Sequence, residues 1–142
     1  MTDAAAPRIT AVVETVLYVD DLARARRFYE TVLGLEAEVS DRRFTAYPLG
    51  PGSVLLLFKR GETLAPVTLP GGTIPPHDGN GPLHVGLGVP SEDMGAWEAR
   101  LAAHGIPIEG RTEWPRGGRS IYFRDPDGHL VELLTPGVWT VY

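Results

Sequence analysis

The sequence contains no cysteine, which removes disulfides, thiolate metal sites and cysteine nucleophiles from consideration. Lysine is almost missing as well: Lys59 stands alone, and the other cations are scattered arginines. With a formal net charge of -5 and no basic cluster, the chain lacks the positive face that nucleic-acid phosphates select. No apolar run reaches the roughly 20 residues needed to cross a bilayer. Met1–Arg8 is too short and too polar for a signal peptide, so a cytoplasmic location is expected. What remains is an ordinary apolar content in 142 residues, enough to bury one core in one domain of the usual size, about 100 to 200 residues.

The chain contains itself twice. The first copy opens with Glu14-Thr-Val-Leu-Tyr-Val19, runs through a helical stretch to Gly34, and turns at Leu49-Gly-Pro-Gly52 into Ser53-Val-Leu-Leu-Leu-Phe58. The second opens with His84-Val-Gly-Leu-Gly-Val89, runs to Gly105, and turns at Asp125-Pro-Asp-Gly128 into His129-Leu-Val-Glu-Leu-Leu134. Overlaying them pairs Glu14 with His84, Gly34 with Gly105, Gly52 with Gly128 and Leu56 with Glu132. Three of the four side chains at the strand positions so paired can bind a metal, and the repeat predicts that they converge.

The periodicity reads as β-α-β-β-β twice. A β-branched run over 12–19 is followed by Asp20-Asp21 as N-cap candidates and an apolar stripe of Leu22, Ala25, Phe28, Tyr29, Val32 and Leu33 at helical spacing. Gly34 stops that helix, and strands are predicted over 36–40, 44–49 and 54–59. In the second copy the strands are 83–89, 107–111, 119–124 and 129–135, with Ser91 capping a helix whose buried stripe is Met94, Trp97 and Leu101. The organisation is therefore an N-terminal tail (1–8), a first module (9–60), a Pro- and Gly-rich linker or site loop without periodicity (61–82) and a second module (83–139).

Strand alternation decides where the unusual side chains point. Thr15, Leu17 and Val19 share the face under the helix, leaving Glu14, Val16 and Tyr18 on the other. In the matching strand Val85, Leu87 and Val89 face the helix, which leaves His84, Gly86 and Gly88 opposite, where the glycines clear space for a ligand. Glu132 lies between Leu130 and Leu134 on an apolar face. An ionised carboxylate left unpaired there costs several kcal/mol, so it must be protonated, paired or bound to a cation.

Taken together, Leu17-Tyr-Val-Asp-Asp-Leu22 with Phe28-Tyr29 and Leu33-Gly-Leu35, His84-Val-Gly-Leu-Gly-Val89, and Tyr122-Phe-Arg-Asp-Pro-Asp-Gly-His-Leu-Val-Glu-Leu133 resemble the vicinal oxygen chelate superfamily. That group holds glyoxalase I, extradiol dioxygenases, and fosfomycin- and bleomycin-resistance proteins, and the resemblance runs from about Ile9 to Trp139. It implies an α+β fold of two βαβββ modules whose mixed sheets curl around a central cup, often completed by dimerisation. It also implies one divalent metal, with ligands on the first and last strands of a module. Those positions are Glu14, Leu56, His84 and Glu132. Leu56 stands where glyoxalase I usually has a fourth ligand, and Glu14 where dioxygenases and fosfomycin-resistance enzymes usually have His.

The expected metal ligands are Glu14, His84 and Glu132, with Glu132 and Glu14 as catalytic candidates. One imidazole and two carboxylates would hold Fe, Mn, Ni, Co or Zn with positions left open. Each residue has a plainer alternative: a satisfied core histidine for His84, a pair with Arg119 or Arg124 for Glu132, a solvated strand-edge carboxylate for Glu14. His77 and His129 are weighed as pocket residues against exposed turn histidines. In the loop 112–120, Trp114 offers an apolar wall, and Arg116 and Arg119 could engage an anion. Phe44, Tyr47 and Tyr122 could line the cup or pack in the core. Carried into the substrate site are Trp114, Arg119, Tyr122, His77 and Phe44. The leading functional expectation is a metal-dependent isomerase, lyase or dioxygenase acting on a small oxygen-chelating substrate, as a homodimer. The alternative is a metal-free sequestering protein of the bleomycin-resistance type.

Overall fold

The computed structural model describes residues 5–142. Of the expected tail 1–8, residues 1–4 lie outside the described residues, and 5–8 are exposed and irregular. The first module runs β1 (Glu14–Val19), α1 (Leu22–Arg26), β2 (Val39–Ser40), β3 (Phe44–Pro48) and β4 (Val54–Lys59). The linker contributes a small hairpin of β5 (Val67–Leu69) and β6 (Gly72–Ile74). The second module holds β7 (His84–Gly88), α2 (Met94–Ala103), β8 (Gly110–Glu113), β9 (Arg119–Arg124) and β10 (Leu130–Leu134).

The two four-stranded sheets have the same order, β1-β4-β3-β2 and β7-β10-β9-β8. In each, the first strand pairs in parallel with the last, with Glu14 opposite Val54 and His84 opposite Leu130. The glycines that stop the two helices also match: Gly34 and Gly105 have φ of 72° and 69°, a left-handed backbone that a side chain would strain. The internal repeat is thus a repeat of structure.

Asp21 caps α1 as expected, its carboxylate accepting from the Arg24 amide at 3.0 Å. Beyond Arg26 the helix widens into a π turn over Arg27–Val32. Its longer period puts both adjacent pairs, Phe28-Tyr29 and Val32-Leu33, on the buried side. The expected cap at Ser91 is not made. Pro90, held extended at φ -61° and ψ 145°, leads instead into a 3-10 turn over Ser91–Asp93 that has no side-chain cap.

The helix-bearing faces of the two sheets share one core, which joins Leu17, Tyr29, Leu55 and Leu57 to Leu101, Phe123, Val131 and Leu133. Polar links reinforce this junction. Tyr29 donates to the buried Asp125 at 2.8 Å, and burial pushes the Asp125 carboxyl above its usual range even though Tyr29 and the His129 and Asp127 amides donate to it. Arg100 of α2 donates to the carbonyls of Val32 (2.6 Å) and Thr31 (2.9 Å), the last acceptors of the π turn. Because both bonds are charge-assisted and satisfy helix-end acceptors, Arg100→Ala is expected to cost about 1–3 kcal/mol in urea unfolding. A change within about 0.3 kcal/mol would show that water replaces the guanidinium without loss.

His129 also belongs to this junction. Its ring is fully buried. The Leu83 amide donates to Nδ1 at 2.8 Å, and Nε2 lies 2.7 Å from the Tyr18 carbonyl. A carbonyl only accepts, so the proton sits on Nε2 and the ring is a neutral strut between the ends of β1 and β7. It is not a pocket or metal residue.

Candidate functional site

The register of the second sheet brings its polar residues together. Glu132 lies opposite Tyr122 on one side and Gly86 on the other, so Tyr122, Ser120 and His84 surround it on one face. Glu132 Oε1 is 3.2 Å from His84 Nε2. Its Oε2 accepts from the Ser120 hydroxyl at 2.6 Å and from the Tyr122 hydroxyl at 3.3 Å. The Trp114 indole N–H in turn donates to Ser120 Oγ at 2.8 Å. One carboxylate oxygen is therefore anchored from behind, while the other faces the imidazole. Neither Arg119 nor Arg124 pairs with Glu132: Arg124 bridges to Glu109, and Arg119 Nη2 donates to the Ser91 carbonyl.

Hydrogen bonding also fixes the imidazole. His84 Nδ1 is 2.9 Å from the Leu130 carbonyl, so Nδ1 carries the shared proton. In the neutral ring Nε2 then presents a lone pair to Glu132 Oε1. Two acceptors facing at 3.2 Å need either a proton between them, on Nε2 or on Oε1, or a metal ion. Two ligands about 2.1 Å from one ion and at right angles stand about 3 Å apart, which this pair matches. A carbonyl orienting Nδ1 and a hydroxyl anchoring the carboxylate are the supports that metal ligands usually have. The side chains are 50% exposed for His84 and 10% for Glu132, so the open position faces outward from a largely sheltered carboxylate.

The expected trio does not meet within one chain. Glu14 is exposed at the start of β1, in the other sheet. Among the described residues no group of three or more His, Cys, Asp or Glu could hold an ion. The reason is topological: the sheets join through their helix-bearing faces, so the faces carrying Glu14 and Glu132 do not close on each other within the chain. The cavity beside the pair, about 410 Å³, is lined only by second-module residues and the C-terminal segment, namely His84, Gly86, Gly88, Glu132, Leu134, Trp139 and Tyr142.

The expected substrate residues divide between the two sheets. Tyr122 and Trp114 belong with Glu132, Trp114 through the hydrogen bond from its indole to Ser120. Arg119 falls on the helix side of β9 by alternation, opposite Glu113 in the register and away from the carboxylate. His77 and Phe44 lie together on the first sheet. His77 Nδ1 is 2.6 Å from the Tyr18 hydroxyl, and its ring stands edge-on to Phe58, which stacks on Phe44. Gly79 permits this docking, since a Cβ there would overlap the Tyr18 ring. The glycines beside His84 are also informative. At Gly86 an added Cβ would press on Leu134 Cδ2 at 3.2 Å and would touch Glu132 Oε1 at 3.8 Å. The space over Gly88, by contrast, is taken by the Tyr142 hydroxyl.

Ser120 belongs to no sequence motif, yet alternation from Tyr122 places it on the face of Glu132, where its hydroxyl meets the carboxylate. Ser120→Ala should leave the fold intact and weaken metal binding by about 10- to 100-fold in a chelator competition titration. Unchanged affinity would mean that the hydroxyl does not position Glu132.

The family model described as the Glyoxalase/Bleomycin resistance protein/Dioxygenase superfamily matches residues 11–133, and the chain belongs to that superfamily. It is similar to the metallothiol transferase FosB of Bacillus licheniformis, 27% identical over 133 residues, which are 93% of this chain and 79% of that enzyme. FosB of Staphylococcus epidermidis is 28% identical over 129 residues, 89% of this chain and 82% of that one. Among solved structures, lactoylglutathione lyase from Agrobacterium tumefaciens superposes with a TM-score of 0.83 at 34% identity, covering 94% of this chain and 99% of its own.

Proposed function

We propose that this protein is a divalent-metal-dependent enzyme acting on a small substrate that presents two neighbouring oxygens. The observation that carries this is the facing pair of acceptors, His84 Nε2 and Glu132 Oε1, each oriented by a second group. Similarity to proteins named metallothiol transferase and lactoylglutathione lyase supports the same class. His84 and Glu132 would hold Mn, Fe, Ni, Co or Zn, and the bound ion would supply Lewis-acid polarisation of a substrate oxygen. The chain's own groups do the rest. Ser120, Trp114 and the Tyr122 hydroxyl fix the carboxylate, and the Leu130 carbonyl fixes the imidazole tautomer.

Glu14 is the third ligand in this reading, supplied by a second copy. The exposed carboxylate begins β1, whose outer edge is unpaired among the described residues, as is the edge of β7 beside His84. A homodimer that sets the first module of one copy against the second module of the other would complete the cup. Light scattering at micromolar concentration should give twice the 15.4 kDa chain mass, and Glu14→Ala should weaken metal binding. A monomeric mass with unaffected metal binding in Glu14→Ala would refute this assembly.

One observation favours a second reading. Among the described residues no three ligand-type side chains meet within a chain, as suits a metal-free sequestering protein. That reading requires ligand binding that survives exhaustive chelation.

A further inference from the structure

Both modules turn the segment after their last strand back over the open face of the sheet. Gly61 and Gly137 are matched in the repeat, and both turn with positive φ, 85° and 103°. In the first module the face beneath is filled with rings. Tyr18, Phe58 and Phe44 line it, and the linker lays the His77 ring edge-on to Phe58 with the centroids 4.7 Å apart. The matched positions in the second module are Gly88, Leu134 and Ser120. The Tyr142 hydroxyl takes up only the place at Gly88. The rest is open, as the cavity of about 410 Å³ that holds His84 and Glu132. Small-molecule pockets begin at about 300 Å³.

Trp139 stands at this cavity, and the backbone fixes where it stands. The Thr135 amide donates to the Arg119 carbonyl at 3.0 Å, and the Arg119 amide donates to Thr135 Oγ1 at 2.9 Å. Further along, the Gly118 amide donates to the Gly137 carbonyl at 3.1 Å. A Cβ on Gly118 would come within 2.6 Å of the Gly137 carbonyl carbon, and one on Gly137 within 2.6 Å of the Gly118 nitrogen. Two glycines are therefore what lets these backbones touch. Their contact ties the segment carrying Trp139 to the β8–β9 turn, yet the indole itself is 66% exposed. A large flat side chain held in this way offers a stacking surface at little entropic cost.

We infer that Trp139 is a specificity-determining residue of this site, and that the ligand carries a flat aromatic group beside its oxygen head, stacked on the indole. The group takes the room that rings fill in the first module. An engineered cavity of about 150 Å³ holds benzene, so 410 Å³ accommodates it. The ligand stays on the open face of the second sheet throughout, and a second copy closing over that face encloses it. The oxygen head rests on the metal reading above, whereas the stacking does not.

Calorimetric titration of Mn-loaded protein with acetohydroxamate, cyclohexanecarbohydroxamate and benzohydroxamate tests this. The probes share one two-oxygen head and carry no ring, a puckered ring or a flat one. Stacking adds to simple burial, so benzohydroxamate should bind about two- to tenfold more tightly than the cyclohexane probe. Trp139→Ala should abolish that preference and leave acetohydroxamate unchanged, and comparing the ratio between the two proteins cancels differences between the heads. Trp139→Phe, which restores a flat ring, should regain most of it. A ratio near one in the wild type, or one that survives Trp139→Ala, refutes the stacking while the metal reading stands. If acetohydroxamate does not bind but benzohydroxamate does, and only with Trp139 in place, the metal reading fails and the stacking holds. Failure of all three probes refutes both. A mass by light scattering that differs between wild type and Trp139→Ala would make the indole a contact between copies and overturn the assignment.

Discussion

Glu132→Ala is expected to lower divalent-metal affinity by at least about 100-fold, beyond the range seen when only a supporting residue is removed. The substitution deletes both the oxygen that faces His84 Nε2 and the oxygen that Ser120 and Tyr122 anchor, so no nearby carboxylate can take over. Around this sheet Glu109 is tied to Arg124 and Asp125 to Tyr29, and Glu113 lies opposite Arg119 on the helix side. Glu132→Gln keeps the volume and separates loss of a ligand from loss of packing. It should retain the wild-type unfolding midpoint while binding metal as weakly as the Ala variant. Competition against a chromophoric chelator measures both. Affinity within threefold of wild type in both variants would remove Glu132 from the metal site.

The second large effect concerns stability. His129→Ala should destabilise the fold by about 3–5 kcal/mol, because it leaves the Leu83 amide and the Tyr18 carbonyl without partners and opens a cavity at the junction of the modules. For a chain of this length that corresponds to a midpoint lowered by roughly 10 °C or more. Urea unfolding with an unchanged m-value reads it directly. A loss below about 1 kcal/mol would mean that water replaces both bonds, and that the strut between β1 and β7 is dispensable.

Much of the architecture is legible in the chain because the repeat is local. Strand alternation predicts the buried faces of β1 and β7, and the matched glycines mark both helix ends. Two features hide for physical reasons. The hairpin β5–β6 has strands of three residues each, too short to establish a period amid proline and glycine. The π turn is written in side-chain pairs that also fit an ordinary helix.

The candidate site was legible only in part. His84 and Glu132 follow from register, because their strands are neighbours in one sheet. Glu14 does not, because a repeat makes Glu14 and His84 equivalent without making them adjacent, and the modules join back to back within the chain. Arg119, expected at the site as part of the loop 112–120, also begins the strand expected over 119–124, and alternation from Tyr122 commits it to the helix side, opposite Glu113. The space expected over Gly88 is not open: a residue 54 positions later, Tyr142, fills it, and sequence spacing carries no trace of that contact.

The most direct test is elemental analysis of protein purified without added metal, before and after reconstitution with Mn, Fe, Ni, Co or Zn. Near one equivalent of a divalent transition metal per chain, lost on chelation together with ligand binding, is the predicted result. No metal after reconstitution, with ligand binding intact, would contradict it and favour a sequestering protein built on the same fold.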